Sequence, residues 1–88
     1  MGKMAVSFAD RVASVVRHNA VPGTSAIKSD TDLLEGGVLD SLGILAVIAD
    51  LETELGCRIQ QEDILPENFR TLADVARVAE NALRGSHD

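Results

Sequence analysis

One serine, Ser41, lies at the predicted start of a helix and directly after two glycines and three other residues. Ser41 follows Asp40 at the end of the segment GGVLDS, residues 36–41, and an apolar helix is predicted to begin here. A serine in this place most often caps the helix, but Asp40 is an equally good cap, so a second one is redundant. The free N–H groups and the positive dipole end of a helix stabilise an anion. A phosphodiester on the Ser41 oxygen would therefore be stabilised, and Gly36 and Gly37 would let a modifying enzyme approach the backbone.

The sequence gives little support for a hydrolase active site or a metal site. A hydrolase triad of Ser41, Asp40 and His18 is disfavoured, because adjacent side chains diverge and nothing places His18 between them. Asp30 and Asp32 begin like a calcium loop, but the central glycine and the final glutamate of such a loop are missing. Two histidines and one cysteine at scattered spacings do not make a metal site. The sequence therefore predicts no catalytic residues and no metal site, and the cysteine is interpreted as a small packing residue.

The elements that must position Ser41 follow from helical periodicity. Main helices are predicted from Met4 to His18, from Asp40-Ser41 to Leu55, and from Thr71 to Leu83, with a short helix over residues 62–65 that is closed by Pro66. Residues 20–39 contain leucines and valines that need a buried place, which predicts an ordered loop pinned to the core. The predicted fold class is all-α: a small bundle of three main helices plus one short helix, with a long ordered loop between helices 1 and 2.

The second helix is apolar on two sides. One side is an ordinary core stripe, and the other is a neighbouring stripe that a three-helix bundle does not need. The core stripe contains Ile44, Val47, Ile48, Leu51 and Leu55, and the second stripe contains Leu42, Leu45, Ala46 and Ala49. Two interpretations stay open: the long loop or a central position of the helix buries the second stripe, or the stripe is a docking surface for another protein.

Length and charge limit the domain count and the partners. The 88 residues suffice for one domain over residues 1–88, with a core of about 4–84 and frayed termini. The formal net charge is −6, and residues 30–88 hold thirteen acidic residues against four arginines. This charge disfavours nucleic acid and anionic membranes as partners and favours a basic protein surface. One cysteine and the lack of a long apolar run near the N-terminus predict a cytoplasmic protein.

The run Leu33-Leu34-Glu35-Gly36-Gly37-Val38-Leu39-Asp40-Ser41-Leu42 resembles the attachment motif of the acyl and peptidyl carrier proteins, whose core is Asp-Ser-Leu at the start of the second helix. The likeness extends over about residues 5–83, through Leu51-Glu52-x-x-Leu55-Gly56 and Thr71-Leu72-Ala73-Asp74-Val75. It implies that Ser41 carries a covalent 4′-phosphopantetheine, attached by a phosphopantetheinyl transferase that Asp40 helps to recruit. It further implies docking at the second helix. The expected docking residues are Asp40, Leu42, Leu45, Ala46, Ala49 and Ile64.

The family resemblance also indicates how the chain would work. The arm would hold an acyl or aminoacyl group as a thioester, for presentation by a freestanding, monomeric carrier to downstream acyl-processing enzymes. Fatty-acid carriers have acidic residues just after Asp-Ser-Leu, whereas this chain has Gly43, Ile44, Leu45 and Ala46, so docking should depend more on apolar contact. Residues 64–72 are similar to carriers loaded by standalone adenylating acyl or amino-acid ligases. The alternative is an unmodified helical module that binds a partner through the second helix.

Overall fold

The computed structural model describes residues 7–24 and 26–85, and in these ranges it contains helices, turns and loops but no strand. Helix α1 is Phe8–His18, α2 is Ser41–Leu55 and α3 is Leu72–Gly85, and two short 3₁₀ turns, Gln61–Asp63 and Pro66–Phe69, lie between α2 and α3. The predicted all-α bundle of three main helices is therefore confirmed. The prediction of a helix running unbroken from Met4 is wrong at Ser7, which has extended backbone angles and caps α1, so that the helix begins at Phe8. Residues 1–6 and 86–88 lie outside the described residues, and with them most of the ends predicted to fray beyond about residues 4–84; Gly85, which was also expected to fray, is the last residue of α3.

The helix ends follow their local sequence. Ser7 caps α1, where its Oγ accepts a hydrogen bond of 3.1 Å from the backbone N–H of Asp10. Thr71 caps α3 in the same way, through a hydrogen bond of 3.1 Å from the N–H of Asp74. Gly56 ends α2 in the left-handed conformation, with φ of 66°, which glycine adopts without a steric penalty. These three boundaries agree with the residue types at the ends of the helices.

The segment between α2 and α3 differs from the prediction. One short helix was expected over residues 62–65, closed by Pro66, but the structure has two 3₁₀ turns, and Pro66 begins the second. Proline suits this place because the first residue of a helical turn needs no N–H donor and its fixed φ is already helical. The second turn brings the Phe69 side chain into the core, where it is fully buried.

The long loop is ordered, because it is pinned to the core near its middle and its two ends are hydrogen-bonded to each other. Leu33, Val38 and Leu39 are buried in the core. The Leu33 N–H donates a hydrogen bond of 2.6 Å to the Arg70 carbonyl, and the Val21 N–H donates one of 2.8 Å to the Val38 carbonyl. The loop is therefore pinned to the core, as predicted, and its course delivers the chain to the start of α2.

The core packs side chains from all three helices, the loop and the second 3₁₀ turn. Val47, Ile48 and Leu51 of α2 are buried, and Ile44 and Leu55 of the same stripe are half-buried against them. The core stripe of the second helix is thus confirmed. None of the helices in the described ranges has both the length and the apolar character needed to span a bilayer.

Candidate functional site

The start of α2 separates the capping residue from the serine that follows it. Asp40 has extended backbone angles, and its Oδ1 accepts a hydrogen bond of 2.7 Å from the N–H of Gly43. Ser41 is the first residue of the helix and is exposed to solvent. Within residues 7–24 and 26–85, its hydroxyl has no hydrogen-bond partner. The fold therefore does not use the Ser41 hydroxyl, since Asp40 supplies the cap.

The surroundings of Ser41 suit an anion. The backbone N–H groups of Ser41 and Leu42 have no partner in the described part of the chain, as expected for the first residues of a helix. The first turn of α2 contains no acidic side chain. The positive end of the helix dipole is therefore opposed only by the carboxylate of the cap itself, and a phosphodiester on the Ser41 oxygen would lie against it.

The second apolar stripe of α2 is open to solvent. The side chains of Leu42 and Leu45 are 76% and 57% exposed, Ala49 is exposed and Ala46 is half-buried. The long loop does not cover this stripe, because its own apolar side chains turn into the core. Exposed leucines this close together are unusual on a protein that acts alone and often mark an interaction surface. Of the two interpretations left open by the sequence, burial by the loop is therefore wrong.

Two adjacent apolar residues after α2, Ile64 and Leu65, differ in their exposure to solvent. Ile64 is half-buried and packs against the core, so only part of its side chain is accessible. Its neighbour Leu65, which lies between the two 3₁₀ turns, is 42% exposed. No local sequence signal distinguishes the two residues, because adjacent apolar residues can both be buried, as Val38 and Leu39 are.

The other reactive residues lie away from Ser41 or are buried. Cys57 belongs to the core, and its burial, together with the nearby Glu52 carboxylate, raises the pKa of its thiol. This agrees with its interpretation as a packing residue. His18 lies at the end of α1 beside Asp50 and Glu54, in an open groove of about 570 Å³ to which Ser41 does not contribute. Within the part of the chain that the structure describes, no three metal-ligating side chains come together.

Comparison with known proteins gives the family of the chain. Residues 9–79 match the family model described as "Phosphopantetheine attachment site". The protein named "Aminoacyl carrier protein 2" of Bradyrhizobium diazoefficiens is 31% identical over 87 residues, and the match covers 94% of this chain and 94% of that protein. No solved structure matches the chain significantly.

These matches agree with the geometry of α2, where an exposed hydroxyl at a helix start lies beside exposed leucines. The family carries a covalent 4′-phosphopantetheine, whose terminal thiol holds an acyl or aminoacyl group as a thioester. Its members interact with the transferase that attaches the arm and with biosynthetic enzymes. The chain belongs to the phosphopantetheine-bearing carrier proteins, and its role is to carry a bound group rather than to catalyse a reaction.

Proposed function

We propose that Ser41 is the residue of this carrier to which the 4′-phosphopantetheine is attached, and that the arm carries an amino acid. The observation that supports the site is the division of roles at the start of α2. Asp40 caps the helix through Gly43, and the Ser41 hydroxyl is exposed and has no partner among the described residues. A serine that the fold does not need can be esterified without a loss of stability.

The residues around Ser41 would each have a part in attachment. The Ser41 oxygen would form a bond to the pantetheine-bearing phosphorus of coenzyme A, and its proton would pass to a base of the transferase. The pyrophosphate P–O bond of coenzyme A would break, and adenosine 3′,5′-bisphosphate would leave. The N–H groups of Ser41 and Leu42 would face the resulting phosphodiester, and Asp40 would hold the first turn in place. The exposed surface of the turn would leave the hydroxyl open to the transferase.

The docking surface would lie on the exposed stripe of α2 next to the arm. Leu42 and Leu45 supply its apolar centre, and the smaller Ala46 and Ala49 would let a partner approach the helix closely. Asp40 and the accessible part of Ile64 would border this centre. Because the first turn contains no acidic side chain, a partner would recognise this surface through apolar contact, and the acidic residues of 30–67 would add long-range attraction for a basic surface.

The proposed cargo comes from the relative, which is named as an aminoacyl carrier protein. We extend that description to this chain and infer that a separate adenylating ligase loads the amino acid onto the arm. Downstream acyl-processing enzymes would then take the amino acid from the thioester. Because an adenylating ligase consumes ATP, loading would take place in the cytoplasm. We further propose that the carrier works as a monomer.

The test is intact-mass analysis of the protein after reaction with coenzyme A and a transferase of broad specificity. We expect the wild type to gain one phosphopantetheine group and Ser41→Ala to gain none. Ser7→Ala is the matched control, because Ser7 is also a serine at a helix start, and it should be modified fully. Modification of Ser41→Ala would overturn the site, and an unmodified wild type beside a modified control carrier would leave an interaction module as the function.

A further inference from the structure

One side chain fastens the end of α1 to the middle of α2. Asn19, the residue after α1, donates hydrogen bonds from Nδ2 to Asp50 Oδ2 at 2.8 Å and to the Val15 carbonyl at 2.9 Å. The first bond crosses between helices, and the second keeps the amide in place against its own helix. Asn19 is half-buried, so these bonds are partly shielded from water and are stronger than those of a free surface amide.

The backbone of Asn19 lies against the first turn of α2 as well. A Cβ atom at Gly43 would lie 3.6 Å from the Asn19 carbonyl oxygen, 3.2 Å from Asp40 Oδ1 and 3.3 Å from Leu39 Cδ2. The close contacts of such a Cβ would be those with Asp40 and Leu39, and its distance to the Asn19 carbonyl is an ordinary van der Waals contact, so the Asn19 backbone lies directly beside the first turn of α2. Positions 43 and 50 differ by seven residues, so they lie on the same face of α2, about 10 Å apart along its axis. Asn19 thus binds that face through one hydrogen bond, to Asp50, and its backbone lies beside the same face in the turn of Ser41.

The same region connects to the loop that precedes Ser41. Two residues after Asn19, the Val21 N–H donates a hydrogen bond of 2.8 Å to the Val38 carbonyl, and Val38 lies three residues before Ser41. The end of α1, the end of the loop and the first turn of α2 therefore meet around Asn19. The positions of these three segments relative to one another determine whether Ser41, the exposed stripe of α2 and the end of the loop form one continuous surface for a partner.

We propose that Asn19 is a positioning residue for the modification of Ser41, a role that rests on the proposed function. It fixes the orientation of α2 relative to residues 36–40, so that the transferase binds a single conformation of this surface. If this fixation is lost, only a fraction of the molecules present the correct surface, and the apparent affinity falls by that fraction. The bond-making step itself is unaffected once the complex has formed, so the effect belongs in KM and not in kcat.

The sharpest variant is Asn19→Asp. It replaces the donor to Asp50 by a second carboxylate, so that a hydrogen bond becomes a repulsion between like charges. The double variant Asn19→Asp with Asp50→Asn restores a donor and an acceptor with their positions exchanged. Asp50→Asn alone keeps an oxygen that can accept from Asn19 and should resemble the wild type. Asn19→Ala, which introduces no charge, serves if Asn19→Asp does not fold.

A variant that lowers the stability of the domain without touching the Asn19 bonds serves as the control. Thr71→Ala removes the cap of α3, an element far along the chain from Ser41, and should lower the free energy of unfolding by about 1 kcal/mol, as for other helix caps. Loss of the Asn19 bonds should destabilise the domain to a comparable extent. A difference in KM between Asn19 variants and Thr71→Ala therefore reports on positioning and not on overall stability.

The measurement is steady-state kinetics of phosphopantetheine transfer, together with the backbone amide shifts of Ser41 and Gly43 in the unmodified protein. Asn19→Asp is expected to raise KM about fivefold with kcat nearly unchanged, and to shift both amides. The double variant should recover most of the KM, and Thr71→Ala should leave it unchanged. An Asn19→Asp protein with the KM of Thr71→Ala would overturn the positioning role alone, whereas a wild type that is not modified at all would overturn the proposed function.

Discussion

Helices α1 and α2 both begin next to a serine, and the two serines are used differently. Ser7 is itself the cap of α1 and accepts a hydrogen bond from the Asp10 N–H, and Asp10 also places a negative charge in the first turn. In α2 the cap is Asp40, the first turn contains no acidic side chain, and the Ser41 hydroxyl has no partner among the described residues. The start of α1 is completed by its own side chains, whereas the start of α2 can accept an added anion.

The solvent-facing sides of α1 and α2 also differ, because that of α1 is polar and that of α2 is apolar. The exposed positions of α1 include the polar residues Asp10, Arg11 and Ser14, whereas those of α2 include Leu42 and Leu45. Solvation of exposed leucines does not stabilise a fold, because their apolar area remains in water. The outer face of α2 is therefore apolar where that of α1 is polar, and the proposed docking surface would account for this difference.

The largest effect is expected from a charge on the outer face of α2. Leu45→Glu should lower kcat/KM for phosphopantetheine transfer about tenfold or more, because a carboxylate would be buried against an apolar partner surface. Thermal unfolding should change little, since Leu45 is mostly exposed. Leu83→Glu, at a leucine of α3 that is 37% exposed, is the control and should react like the wild type. Equal losses from both variants would contradict a docking surface on α2.

A smaller effect is expected at the cap of α2. Asp40→Ala removes the acceptor for the Gly43 N–H, and it should lower the free energy of unfolding by about 1 kcal/mol and slow modification. Asp40→Asn keeps a capping oxygen, so it should restore stability, but it should still be modified more slowly if the transferase recognises the charge. Denaturant unfolding and transfer kinetics on both variants separate the two roles. An Asp40→Asn protein modified as fast as the wild type would show that only the cap matters.

The smallest effect is a difference in stability between the two serine variants. Ser7→Ala should lower the free energy of unfolding by about 1 kcal/mol, because it removes a cap. Ser41→Ala should change it by less than about 0.5 kcal/mol, as is usual for an exposed side chain without a partner. Urea unfolding of the two variants measures this directly. A loss at Ser41 as large as the loss at Ser7 would mean that the Ser41 hydroxyl has a structural use.

Much of this arrangement could be predicted from the sequence, because it depends on local patterns. The periodicity of α2 predicted its core stripe, and the redundancy of Asp40 and Ser41 as caps predicted a hydroxyl without a structural role. The loop leucines and valines predicted an ordered connection.

The rest depends on contacts between distant residues. The two 3₁₀ turns were missed because such turns are short and are stabilised by packing, here of Phe69 into the core. Leu65 is exposed because Ile64, and not Leu65, packs against the core, and this choice depends on tertiary contacts. The hydrogen bond between Asn19 and Asp50 joins residues that are 31 positions apart, and no local sequence pattern predicts it.

The most direct test of the central claim is to locate the arm by fragmentation of one peptide. After modification of the wild type, trypsin should release residues 29–58, because Lys28 and Arg58 bound a stretch without another cleavage site. This peptide contains two serines, Ser29 and Ser41, so its fragment series separates them. The account predicts that every fragment containing Ser41 carries the phosphopantetheine mass, or its characteristic loss, and that fragments with Ser29 alone do not. Phosphopantetheine on Ser29, or on a peptide outside residues 29–58, would contradict it.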